Sequence, residues 1–89
     1  MSVMEQGEKA VALTALADGE SGRVAGLTCD RVAVGKLEAM GILVGVVIVK
    51  KSSALRRGPV VVGRDRVQVA LAYAIAKGIL VEPIAARAE

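Results

Sequence analysis

Hydrophobic positions change period along this chain, and each change predicts an element. In DRVAVGKLEAMG, residues 30–41, Ala33, Leu37 and Met40 recur at i, i+4 and i+7 with Val34 one place over. That is a helical stripe, and it predicts a helix over about 30–40. Asp30 stands where a carboxylate caps the first turn, and Gly41 where a left-handed residue ends the last. Gly35 weakens the helix by roughly 1 kcal/mol relative to alanine. Beyond it, Val46 to Val49 are four consecutive β-branched residues, which favour a strand over a helix.

The remaining segments read as short strands set apart by turn signals. Asp18-Gly19 is a turn pair, after which Arg23 to Leu27 predicts a strand with Val24 toward the core. Gly22 and Gly26 predict bulges or sharp bends. Pro59 opens a further strand, Val60 to Gly63, and Arg64-Asp65 turns the chain. In VQVALA, Val67, Val69 and Leu71 alternate on one face. An alanine-rich stretch near 72–77 predicts a short helical turn before Gly78, and Ile79 to Val81 a last strand. Residues 1–10 are expected to form a flexible N-terminal segment, 11–83 the domain and 84–89 a tail. Short strands at such spacing predict a small closed barrel, a fold that removes exposed sheet edges.

The most apolar run, Ala39 to Val49, has eleven positions before Lys50 and Lys51 stop it. A membrane span needs about 20. The second candidate, Val67 to Ala86, is interrupted by Gln68, Lys77, Gly78, Glu82 and Pro83. Mean hydropathy of +0.54 therefore predicts a well-filled core rather than membrane insertion. Glu5 and Glu8 occupy the region where a signal peptide carries basic residues, so a cytoplasmic protein is expected.

The chain has 89 residues, no histidine, one cysteine and one aromatic residue, Tyr73. These counts exclude much chemistry. A single thiol rules out an intramolecular disulfide framework. Cys29 with Asp30 and Glu38 lacks the ligand spacing of a zinc or iron site. No metal site or cofactor is predicted, although weak binding of a transition metal ion at carboxylates stays open. Without a histidine, a Gly-rich phosphate loop or a base–nucleophile pair, no enzymatic activity is expected. Tyr73 alone cannot supply the stacking platform that small barrels use for single-stranded nucleic acid, so no nucleic-acid partner is expected. It reads as a plug at a barrel end.

The ordered set L13-x-x-L16-x-x-G19-E20-x-G22-x-V24, K36-L37-x-x-M40-G41-I42-x-x-G45, G58-P59, V69-A70-L71, A74 and I79-L80-V81 resembles the FeoA family. The resemblance covers about residues 11–82. It implies a mainly β fold, a five-stranded SH3-like barrel with one helix inserted after the first strand. It also implies a non-catalytic, accessory role in bacterial ferrous iron uptake, by contact with the cytoplasmic GTPase part of the membrane transporter FeoB. Related domains form the C-terminal module of repressors of the DtxR type, so a stand-alone regulatory domain is the alternative. A small RNA- or ribosome-associated barrel is a further one. Where the family has proline, arginine and arginine, this chain has Val44, Lys36 and Ala72.

Charge supplies the candidate contact residues. Net charge is +3, but Lys50 to Arg66 holds six basic residues against one acid, Asp65. Lys50, Lys51, Arg56 and Arg57 are expected to cluster at one end of the barrel and meet an acidic partner surface. Met40 and Ile42, near the helix end, are secondary apolar contacts. Gly19, Gly41, Gly45 and Pro59 are assigned to turns and caps, with Gly45 in the positive-φ position of a type II turn after Val44.

Overall fold

The structure is a computed structural model that describes residues 10–52 and 58–84. Within them the chain makes β1 (Val11–Ala12), a 3-10 turn (Leu13–Ala15), β2 (Ser21–Leu27), α1 (Arg31–Ala39), β3 (Val47–Ser52), β4 (Val60–Arg64), β5 (Val67–Leu71), α2 (Tyr73–Ala76) and β6 (Ile79–Ile84). The six strands form one antiparallel sheet in the order β1-β6-β2-β3-β4-β5. The expected barrel of five strands thus gains a sixth, the two-residue β1, too short to leave a periodic signal. The sheet's two end strands are joined through their neighbours, because α2, which follows β5, packs against the 3-10 turn that follows β1. Leu13, Val24, Leu37, Ile48, Val60, Val62, Ala76, Ile79 and Val81 fill the interior.

Local chemistry sets the boundaries of α1. The Asp30 side chain accepts from the Ala33 N–H at 2.8 Å, satisfying one of the four orphan donors of the first turn. At the other end Gly41 has φ +87°. Its N–H donates to the Glu38 carbonyl at 3.0 Å, and the Ile42 N–H donates to the Leu37 carbonyl at 2.9 Å. This pair of bonds is a Schellman motif, and its accompanying hydrophobic contact brings Ile42 toward Leu37. Gly35 is exposed, with open space where a Cβ would go. Gly35→Ala is therefore expected to raise stability by about 1 kcal/mol. A thermal melt shifted upward by about 4–8 °C would register it.

The predicted turns recur with their geometry. Gly19 (φ +92°) lies in a turn closed by the Glu20 N–H on the Ala17 carbonyl at 3.0 Å. Gly45 (φ +98°) is the third residue of Leu43-Val44-Gly45-Val46, closed by the Val46 N–H on the Leu43 carbonyl at 3.0 Å. That is the type II pattern, with Val44 at the position where proline is preorganised. Pro59 immediately precedes β4. The bulge expected near Gly26 appears as a register shift between Val24 and Gly26. Gly22 serves close packing instead: a Cβ there would lie 2.9 Å from Val81 Cβ.

Strand β5 departs from its simplest reading. Leu71 is buried, Val69 half-buried and Val67 exposed, although all three share one face. The strand runs off the edge of the core toward the β4–β5 hairpin. Strand β6 reaches Ile84, further than the Ile79–Val81 pattern predicts, and pairs Pro83 with Gly22.

Candidate interaction surface

Strand β3 decides which lysine belongs to the surface. Neighbouring residues on a strand point to opposite faces. Buried Ile48 and Lys50 therefore point inward, while Val47, Val49 and Lys51 point out. Lys50 is only 6% exposed. Its Nζ donates to the Leu16 carbonyl at 2.7 Å and the Thr14 carbonyl at 3.3 Å, and lies 3.9 Å from Asp18 Oδ1. Its main chain holds the same segment. The Lys50 carbonyl accepts from the Gly19 N–H at 2.6 Å, and its N–H donates to the Glu20 carbonyl at 2.9 Å. Lys50 is a structural strut, and the expectation of an exposed contact at this position is corrected.

Ile42 needs a similar correction. At 1% exposed it is part of the core, drawn in by the Schellman turn. Met40 is partly buried against the same cluster. Lys51 is exposed, with its stem stretched across Gly63, whose hypothetical Cβ would lie 2.8 Å from Lys51 Cε. Arg56 and Arg57 lie outside the described residues. Of the predicted basic cluster the structure thus places Lys51 on the outside and Lys50 on the inside. Cys29 is half-buried, its Sγ 3.7 Å from the Ile75 carbonyl, and Tyr73 is half-buried at the start of α2. Among the described residues no three His, Cys, Asp or Glu side chains gather as a metal site. No described helix is long and apolar enough to cross a membrane.

In the sequence Arg64 is one of six basic residues from Lys50 to Arg66, and only the fold gives it a distinct geometry. Its guanidinium packs against Gly41, with Nη2, Cζ and Nε at 2.5, 2.7 and 2.7 Å from where a Cβ would stand. A side chain at Gly41 would displace the guanidinium, so Gly41 serves both the helix cap and this arrangement of the arginine. Nη1 donates to Asp65 Oδ2 at 3.0 Å, whereas Nε is buried with no acceptor among the described residues. Asp65 takes φ +57° in the hairpin turn. The register places these parts at one end of the barrel. Val49 pairs with Gly63, so Arg64 falls level with Ile48, close to where β3 leaves the Leu43–Val46 turn.

The sequence profile of the FeoA domain matches residues 11–83. A crystal structure of an iron uptake regulatory protein (FeoA) is 25% identical, with a TM-score of 0.75, over 84% of this chain and 97% of that one. A FeoA-like protein from Clostridium acetobutylicum, solved by NMR, is 23% identical with a TM-score of 0.77, over 91% and 94% of the two chains. A manganese-dependent transcriptional repressor is 25% identical with a TM-score of 0.77; the match covers 84% of this chain but 42% of the repressor. No curated protein matches the chain. The fold is thus the small SH3-like β domain shared by FeoA proteins and the repressor module, and with its profile match running from β1 into β6, this chain is a member of the FeoA family.

Proposed function

We propose that this chain is a non-catalytic accessory protein of bacterial ferrous iron uptake that works by contact with the cytoplasmic GTPase part of an FeoB transporter. The observation that carries the reading is the FeoA profile match over 11–83, which implies a role in ferrous iron transport. The composition agrees, since the chain has no histidine, the commonest general base. Lys51, together with Arg56 and Arg57, is assigned to steering. Cations at a rim accelerate association with an acidic surface more than they deepen affinity.

Biolayer interferometry against the purified cytoplasmic region of the cognate transporter, over a range of salt, tests this. Saturable binding is expected, with an association rate that falls as salt rises. Charge reversal at Lys51, Arg56 and Arg57 should flatten that salt dependence. Absence of binding at high micromolar concentration would sink the reading. The likeness to the manganese-dependent repressor supports a second one, a regulatory domain detached from a DNA-binding part. Unchanged ferrous iron uptake in a strain lacking this chain, together with altered metal-dependent transcription, would favour it.

A further inference from the structure

Large apolar side chains are unevenly exposed in this molecule. Five are exposed among the described residues: Val32, Leu43, Val44, Val47 and Val67. Single exposed aliphatics need no explanation. Four of these five, however, belong to the end of the barrel that carries Arg64. Leu43 (41% exposed) and Val44 (62%) form the turn after Gly41, Val47 opens β3, and Val67 (50%) is paired with Arg64 across the hairpin. Val32 stands apart, in the first turn of α1.

We propose that this end is the docking surface for the partner, and that its occupant is an acidic protein segment. In that arrangement a carboxylate meets the Arg64 guanidinium, and flanking aliphatic side chains cover Leu43, Val44 and Val67. The inference rests on the functional reading above and names the contact that reading requires. Its chemistry comes from Arg64. A guanidinium packed against a glycine with its Nε buried has already lost some of the rotamer freedom that binding would remove. It makes one hydrogen bond among the described residues, from Nη1 to exposed Asp65. Nε is buried against Gly41, so a carboxylate would meet the guanidinium at its Nη atoms, of which Nη1 is already on Asp65. An arginine with exposed aliphatic residues nearby is also the usual composition of an energetic centre in an interface.

Charge selects between occupants. Arg64 and Arg66 flank a single acid, Asp65, in the hairpin. A second copy docking about a twofold axis would bring two patches of net positive charge together, with one acid on each side to offset two arginines. An acidic segment of another protein meets no such penalty.

The test uses the full chain, with the transporter's cytoplasmic region as the probe in biolayer interferometry. Arg64→Gln, Val44→Asp and Val67→Asp are each expected to weaken binding at least tenfold, chiefly through faster dissociation, and Arg64→Lys to rescue only part of the loss. Val32→Asp, at the other end of α1, is expected to bind as wild type. Thermal melts check folding, and the Val44 and Val67 variants decide the matter if Arg64→Gln unfolds the domain. If wild type binds and the three variants bind equally well, the docking surface lies elsewhere and this inference falls while the functional reading stands. If wild type does not bind, the functional reading falls and takes the inference with it. A sedimentation shift to dimer that Val67→Asp abolishes would make the occupant a second copy, which also overturns the proposal.

Discussion

Leu37→Ala is expected to cost about 3 kcal/mol, within the range of roughly 2–5 for truncating a buried leucine. Leu37 is fully buried and is the main anchor by which α1 meets the barrel core. Its carbonyl also receives the Ile42 N–H of the Schellman turn at 2.9 Å, so helix anchoring and helix termination meet at one residue. The cavity left in place of the side chain removes contacts from the core on one side and from Ile42 on the other. A domain of this size is stable by only about 5–10 kcal/mol, so the loss takes a large share of the total. Urea denaturation should show a lower midpoint at an unchanged slope, and a melting temperature lower by on the order of 15 °C. Val32→Ala, on the exposed side of the same helix, should stay within about 0.5 kcal/mol of wild type. Equal effects at the two positions would mean that α1 is not held through Leu37.

The parts of the fold that were legible in the sequence are those fixed by local chemistry. Asp30 and Gly41 bound the helix because a carboxylate satisfies free N–H groups and a glycine adopts positive φ wherever the rest of the chain lies. Gly19 and Gly45 were readable as turns for the same reason. The short β1 was not, because two residues carry no period and its pairing with Val81 and Leu80 is a long-range event. The contact surface was the least legible part. Charge counting groups Lys50 with Lys51, yet strand parity separates them, and the parity is set by Ile48 turning inward two positions earlier. The run from Val46 to Val49 is apolar at every position, so it carries no alternation from which the parity of the lysines could be read. Ile42 was hidden differently, since its burial follows from a turn that only the Gly41 cap specifies. Nothing local announces that Arg64 reaches Gly41, 23 positions away in sequence.

Replacing Lys50 by methionine is expected to destabilise the domain by about 2 kcal/mol while leaving its packing nearly intact. Methionine keeps most of the buried stem, so the variant isolates the ammonium. Two carbonyls depend on that group, Leu16 at 2.7 Å and Thr14 at 3.3 Å, and Leu16 is a buried residue. A hydrogen bond to a charged donor contributes about 1.5–3 kcal/mol, and an acceptor left dry costs about 1–3. Against this stands the cost of taking the ammonium out of water, which the methionine variant recovers; the net loss is therefore well below the sum of the two bonds. The Asp18 carboxylate adds little, because it is 3.9 Å away and its side chain is 55% exposed. The loss should accordingly change little between low and high salt, which distinguishes carbonyl bonding from an ion pair. Lys50→Ala should cost more than Lys50→Met by the lost stem packing, and Lys51→Met should cost less than about 0.5 kcal/mol. Chemical denaturation of the three variants at two ionic strengths is sufficient. If Lys50→Met and Lys51→Met proved equally mild, the ammonium would not be holding the 14–20 segment, and Lys50 would return to the surface cluster from which the structure removes it.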